Sequence, residues 1–230
     1  MDYKKSVIKS QKDLKIIEET SKYLIVKAKF GPSKPTKIPL EINNLLSFFS
    51  AAIIADGHLK KSKKQINIEL SNIHLLKYLQ LICKKVFNRD FNIHPIKPRK
   101  NRKQTWHMPI DSKAIYNLLN QVFEIPIGKK SDIVKVPEVI KNSNLEIQKT
   151  FLQGIMFTDG GKRRRGYGIS TASKTFQEDL EKLFEKQKIP VKKDKWVYQK
   201  YKKEFYGLFF KKDYYSILMR RCRSGQTGCV

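Results

Sequence analysis

The sequence predicts an α+β fold of two pseudosymmetric α-β-β-α-β-β-α repeats behind an N-terminal β-hairpin appendage. Three observations predict it. Phe49-Ser-Ala-Ala-Ile-Ile-Ala-Asp56-Gly57 and Leu152-Gln-Gly-Ile-Met-Phe-Thr-Asp159-Gly160 are both apolar segments ending in Asp-Gly. The two acids stand 103 positions apart, and the same offset superimposes Ser47 on Thr150, Ala51 on Gly154 and Ala55 on Thr158. After each motif the hydrophobic pattern passes through the same order of two-residue and 3.6-residue periods, which makes the class α+β.

Taken in order, Tyr23-Leu-Ile-Val-Lys-Ala-Lys-Phe30 has the β-branched and aromatic content of a strand. Gly31-Pro-Ser-Lys-Pro35 breaks it, and Lys37-Ile-Pro-Leu40 pairs back as a short edge segment. Residues 1–42 form this appendage. The first repeat, 43–124, opens with a helix from Asn43 to Ala55 that is apolar on nearly every side and therefore buried. Strict alternation in Gln65-Ile-Asn-Ile-Glu-Leu70 marks a half-buried strand, and Leu75, Leu76, Leu79, Ile82 and Val86 mark a helix from Ile73 to Phe87. Strands at Phe91–Ile96 and Gln104–Ile110 flank the basic turn Lys97-Pro-Arg-Lys-Asn-Arg-Lys103, and a helix from Ser112 to Val122 closes the unit.

Residues 125–144, with Ile125-Pro-Ile-Gly-Lys-Lys-Ser and Val136-Pro-Glu, read as a linker rich in breakers and charge. The second repeat, 145–221, gives a helix over Leu145–Thr158, strands within Lys162–Thr171, a helix over Lys174–Lys188, strands near Val191–Gln199 and Glu204–Phe210, and a helix near Asp213–Arg221. The tail 222–230 has no periodicity and reads as disordered.

Composition bounds the partners. Forty-eight Lys plus Arg face 21 Asp plus Glu, a formal charge of +27, which points to a polyanion. The cations are spread along the whole chain instead of lying on one amphipathic helix, which argues against a membrane surface. The apolar runs are too short to span a bilayer, and Met1-Asp-Tyr-Lys-Lys-Ser is followed by no signal-like stretch. Three cysteines, an odd number without metal-like spacing, fit a reduced intracellular protein, and the four histidines show no zinc pattern.

Small residues at i, i+4, i+8 on each motif helix let two backbones approach closely. If the helices pack along these faces, Asp56 and Asp159 meet at their C-terminal ends. Two facing carboxylates repel unless a cation lies between them, and hard oxygen donors favour Mg²⁺, with Mn²⁺ as the other candidate. On a basic surface that delivers phosphodiesters, such a site points to metal-assisted hydrolysis.

The paired motifs resemble the LAGLIDADG sequences of the LAGLIDADG homing endonucleases in their single-chain, two-repeat form, over roughly Asn43 to Arg221. Gly128-Lys-Lys-Ser followed by Val136-Pro is similar to the linker of that family. The resemblance implies saddle-shaped antiparallel sheets seated on duplex DNA, an asymmetric target site, a monomer, and cleavage of both strands. It makes Asp56 and Asp159 the metal-binding catalytic acids and gives the carbonyls of Ala55 and Thr158 to the metal. Ala51 stands where glycine is usual. Relatives often place Gln or Lys at the end of the second strand; here Leu70-Ser71-Asn72 and Thr171-Ala172-Ser173-Lys174 occupy those places. Lys174 is thus the expected auxiliary cation, with Lys129 and Lys130 of the linker as other candidates. The alternative is a non-cleaving nucleic-acid-binding protein, such as an intron RNA-splicing maturase.

For DNA reading, the polar strand residues Gln65, Asn67 and Glu69 match base edges, and Arg163 and Arg165 match guanine. Arg99, Lys100, Arg102, Lys103, Lys193, Lys195 and Lys202 stand at strand ends and turns suited to phosphates. Trp106, Trp196, Tyr198 and Tyr206 read as packing residues, and His58 as a turn residue.

Overall fold

The alternating and helical periodicities are met by strands and helices in two similar successions. A computed structural model describes residues 2–97, 104–163, 166–199 and 202–220. The predicted contacts Arg99, Lys100, Arg102, Lys103 and Arg165, and the tail 222–230, lie outside the described residues. In chain order the elements are α1 (Tyr3–Ser10), β1 (Leu14–Glu19), β2 (Tyr23–Ala28), β3 (Thr36–Pro39), α2 (Asn44–Asp56), β4 (Gly57–Lys60), β5 (Gln65–Leu70), α3 (Ile73–Phe87), β6 (His94–Ile96), β7 (Thr105–Ile110) and α4 (Lys113–Asn117). The chain continues as a π-helical turn (Leu118–Val122), α5 (Glu138–Lys141), α6 (Leu145–Thr158), β8 (Gly161–Arg163), β9 (Gly166–Thr171), α7 (Lys174–Lys186), β10 (Lys192–Tyr198), β11 (Lys203–Phe210) and α8 (Lys212–Met219).

Each repeat carries a four-stranded antiparallel sheet. The orders β4-β5-β7-β6 and β8-β9-β11-β10 are the same permutation, so the architecture is an internally repeated α+β fold. Strand parity sorts the side chains. In the first sheet Ile66, Ile68 and Leu70 point at the helices and are buried, pairing across to Ile110, Met108 and Trp106. Each buried aliphatic chain there contributes about 1.5–3 kcal/mol. The other face carries His58, Asn67, Glu69 and His107 in register across three strands. In the second sheet Ile169, Leu208 and Phe210 face α7, with the Phe210 ring 5.2 Å from that of Phe184.

The repeats join through α2 and α6, which make the most extensive contact of any two described elements. Asn43 caps α2 by accepting from Leu46 N, and Asn144 caps α6 by accepting from Ile147 N, each at 2.9 Å. Gly154 is where the helices approach most demandingly: a Cβ there would fall 2.6 Å from Ala51 Cβ and 2.8 Å from Phe48 O. Ser47 Oγ donates to Ile147 O at 2.8 Å across the same interface. Thr150, expected on this face, is only half-buried and returns its hydroxyl to Glu146 O in its own helix.

The appendage is more than a hairpin. Residues 3–10 form a helix, and β1 makes a third strand, giving the antiparallel order β1-β2-β3. Neither element carried a periodic signal, because α1 buries only Val7 and Ser10, and β1 only Leu14. The unit shares the core of the first repeat through Leu24, Val26 and Ile38, all fully buried. Gln11 Nε2 donates to Ala114 O at 3.2 Å, and Asn117 Nδ2 to Ser10 O at 3.1 Å. Similarly, β4 follows α2 directly with no alternation long enough to read.

Candidate metal and nucleic-acid site

Asp56 is the last residue of α2 and Asp159 the C-cap of α6, so the helix packing described above carries both acids to one end of the interface. The glycines after them are not left-handed caps. Gly57 has φ −81° and ψ 161°, and a Cβ on it would lie 2.8 Å from Ile53 Cα and O. At Gly160 a Cβ would lie 2.6 Å from Met156 Cα and O. Glycine is needed because each chain turns back against its own helix immediately after the acid.

The carboxyls are held at an electrostatic cost. Burial, then the Asp159 charge, pushes the Asp56 carboxyl up to about 6, against the opposing pull of Lys130. Asp159, although an exposed residue overall, is also raised, by burial of its carboxyl, with Lys130 and then Arg163 opposing. Lys130 comes from the linker. Its Nζ donates to Ile53 O and to Gly57 O, both at 2.5 Å. Burial brings its ammonium down to about 8, while both acids hold it up. The charges at this end of the helices are thus coupled: Lys130 acts on both acids, Asp159 on Asp56, and Arg163 on Asp159.

Lys174 stands elsewhere. It opens α7, pairs with Glu178 at 3.7 Å, and is absent from the charges acting on either acid. The strand-end residues are used for capping instead: Asn72 Oδ1 accepts from His74 N and Leu75 N, and Ser173 Oγ accepts from Phe176 N. Lys129 is exposed and pairs with Asp132 at 3.8 Å. Ala55 and Thr158 each precede an acid in a last helical turn, and the Thr158 hydroxyl donates to Gly154 O at 2.9 Å.

The open face of the first sheet continues from Asp56. Asp56, His58, Asn67, Glu69, Ile96 and His107 line a cavity of about 390 Å³. His58 is therefore a strand residue facing this cavity, not a turn residue. Asn67 Oδ1 is buried there without a hydrogen-bond partner, while Glu69 accepts from Thr105 Oγ1 at 3.3 Å. Gln65, at the edge of this face, donates to Asp111 Oδ1 at 2.5 Å. The His94 and His107 rings meet at 5.3 Å between centroids, tilted 43° to each other.

The second sheet places its predicted contacts differently. Lys193 and Lys195 point to the helix side, where they pair with Glu181 at 3.0 Å and Glu204 at 2.7 Å. Consecutive strand residues alternate faces, so Lys192, Asp194 and Trp196 lie on the open face. Lys202 sits exposed in the β10–β11 turn at φ 47°. Arg163 Nη2 donates to Asp159 O at 3.2 Å and so braces the end of α6. Trp106 and Tyr206 pack or pair on the helix side, but Trp196 and Tyr198 do not.

Two repeats that meet through paired helices, with one acid at the end of each, define a pseudosymmetric two-repeat architecture with a single shared centre. The fold is that of the LAGLIDADG homing endonucleases. I-DmoI in complex with DNA and Mn superimposes with a TM-score of 0.56 at 16% identity, covering 77% of this chain and 97% of the other. I-WcaI bound to its DNA recognition sequence gives 0.50 at 16% identity, covering 75% and 77%. Full-length DUF199/WhiA from Thermatoga maritima gives 0.50 at 13% identity, covering 76% and 54%. No family model matches the sequence.

Two curated proteins of Methanocaldococcus jannaschii are similar in sequence. The replication factor C small subunit is 29% identical over 140 residues, and the probable translation initiation factor IF-2 is 25% identical over 183 residues. These matches cover 61% and 77% of this chain but only 7% and 15% of the relatives.

The donor chemistry fits a hard divalent cation. Among the described residues no three His, Cys, Asp or Glu side chains cluster as metal ligands, so a bound ion would rest on two carboxylates and take its other oxygens from backbone, water or phosphate. Among the same residues no helix is long and apolar enough to cross a membrane.

Proposed function

We propose that this protein is a site-specific homing endonuclease that hydrolyses both strands of an asymmetric duplex DNA target, acting as a monomer with Mg²⁺ or Mn²⁺. One observation carries the reading: the two acids end the paired helices, the Asp159 charge raises the Asp56 carboxyl, burial raises both, and the half-buried Lys130 acts on each of them. Such repulsion costs stability, and a divalent cation relieves it. Asp56 and Asp159 would hold the ion, assisted by the carbonyls of Ala55 and Thr158. When bound, a hard cation stabilises charge developing on the phosphate and makes water more acidic.

The chain's own residues do the rest. Lys130, protonated near neutral pH, offers a hydrogen-bond donor to the phosphate or to the attacking water and balances the two acids. The +27 charge supplies affinity for the backbone, and the sheet faces supply base contacts. The insertion-like matches also support mobility: two long proteins of unrelated role each resemble this chain over a short stretch. An element that works on chromosomal DNA belongs inside the cell.

The second reading is a non-cleaving binder such as an intron RNA-splicing maturase, favoured by the use of Asn72 and Ser173 as caps. The raised Asp56 weighs against it, because a protein that only binds has no use for two repelling carboxylates. Incubation with duplex DNA containing the uninterrupted insertion locus and Mg²⁺ decides between them. Discrete double-strand cuts, lost in Asp56→Asn and in Asp159→Asn, support the nuclease; tight binding without cutting in either metal refutes it.

A further inference from the structure

The open face of the second sheet carries an aromatic strip beside the charged residues Lys192, Asp194 and Lys203, and glycine makes room for it. Pairing sets Trp196 opposite Phe205, and parity puts Gly207 and Phe209 on the same face. A Cβ on Gly207 would strike the Phe209 ring at 2.5 Å and Trp196 Cζ3 at 2.9 Å; one on Gly168 would lie 2.8 Å from Phe209 Cδ1. The rings thus lie down on a glycine floor. Trp196 and Phe205 are nearly parallel, 14° apart with centroids at 6.1 Å, and Tyr198 meets Phe205 edge-on at 6.4 Å. Trp196 and Phe205 are partly accessible and Tyr198 about half so, with Lys203 Nζ 5.9 Å from the centre of the Phe205 ring. None belongs to the hydrophobic core or packs against it.

The first sheet presents the opposite chemistry on the equivalent face, with His58, Asn67, Glu69 and His107 offering hydrogen-bond donors and acceptors. In the major groove a hydrogen-bonding face reads base edges, while an apolar face reads the thymine methyl. Phe209 is only 7% exposed, so no base has room to stack on it; a methyl needs far less.

We propose that the strip Trp196–Phe205–Tyr198 reads thymine 5-methyl groups, so that the half-site under the second repeat is recognised in part by apolar contacts that the hydrogen-bonding face of the first repeat does not make. This rests on the duplex-DNA reading above. The occupant is duplex DNA because the strip shares its sheet face with Arg163, which braces the end of the Asp159 helix, and because the chain's strong positive charge complements the phosphates flanking each groove.

Thymine replaced by deoxyuridine keeps every hydrogen bond and loses only the methyl. A duplex selected from a randomised library by the wild-type protein is resynthesised with deoxyuridine in one half or the other, and binding and Mg²⁺-dependent cutting are measured. Deoxyuridine in one half should weaken binding about fourfold for each contacted methyl, and less than twofold in the other. Trp196→Ala should abolish that difference, and Trp196→Phe should keep it. Equal sensitivity of both halves, or unchanged discrimination in Trp196→Ala, overturns the proposal while leaving the nuclease reading intact. A Trp196→Ala protein that loses affinity for single-stranded RNA yet discriminates methyl groups as before assigns the strip to RNA stacking and overturns it too. Failure to select or cut any duplex overturns both readings.

Discussion

Gly154 faces Ala51 across the helix pair with no room for one more carbon: a Cβ at Gly154 would stand 2.6 Å from that of Ala51. The backbone of Phe48 closes the other side, its O at 2.8 Å. Gly154→Ala must therefore push α2 and α6 apart. It should destabilise the protein by about 1–3 kcal/mol in urea unfolding, and it should reduce cleavage more than DNA binding, because the same shift separates Asp56 from Asp159.

Protonation of Asp56 links pH to stability. Its carboxyl titrates near 6 in the folded chain and about 4 in the unfolded chain, so the folded state keeps a proton that the unfolded state gives up. The stabilising contribution is complete below about pH 4 and is lost as pH rises through 6. Lys130 acts in the other direction over a different window. Its lowered value imposes a cost that is in place below about 8 and fades toward 10. Metal-free protein should lose about 1–2 kcal/mol between pH 5 and 7, allowing for solvent screening at the half-buried acid. Asp56→Asn should flatten that slope in thermal melts, and Mg²⁺ should raise the wild-type Tm at pH 7 more than that of the variant.

Lys130 and Lys174 make a matched pair of tests. Lys130→Met removes the cation that faces both acids and should lower kcat about 10²–10³-fold with little change in DNA affinity. Lys174→Met breaks only an exposed pair with Glu178 and should leave single-turnover cleavage within about twofold, since such pairs contribute about 0–1 kcal/mol.

The appendage behaves as part of the first repeat. Leu24→Ala opens a cavity under β2 and should cost about 2–5 kcal/mol. Unfolding followed by tryptophan fluorescence and by far-UV circular dichroism should still coincide in a single transition. Separate transitions would show that residues 2–40 fold independently.

Much of this was legible because hydrophobic periodicity is local. The Gln65–Leu70 strand and the Ile73–Phe87 helix occur at the predicted bounds, since each alternates or repeats long enough to declare its period. α1 and β1 were silent because they bury only two residues and one residue, and their place in the fold is set by distant partners. The meeting of the acids followed from the small residues at Ala51 and Gly154. Which lysine joins them did not: Lys130 reaches the site only because its backbone crosses behind β4, where Gly128 N donates to Leu59 O at 3.0 Å. Likewise, Lys193 and Trp196 exchange the faces their chemistry first recommended, because register along β10 is fixed by pairing with β11.

The position of Lys130 in the connector gives the molecule a particular genealogy of parts. On the proposed reading, either repeat could exchange its open face, and so its target preference, while keeping the paired helices. The connector has no such liberty, because among the described residues it carries the one cation that acts on both acids. Chimaeras assembled from halves of related proteins should inherit their sequence preference from the sheets and their competence to cut from the bridge.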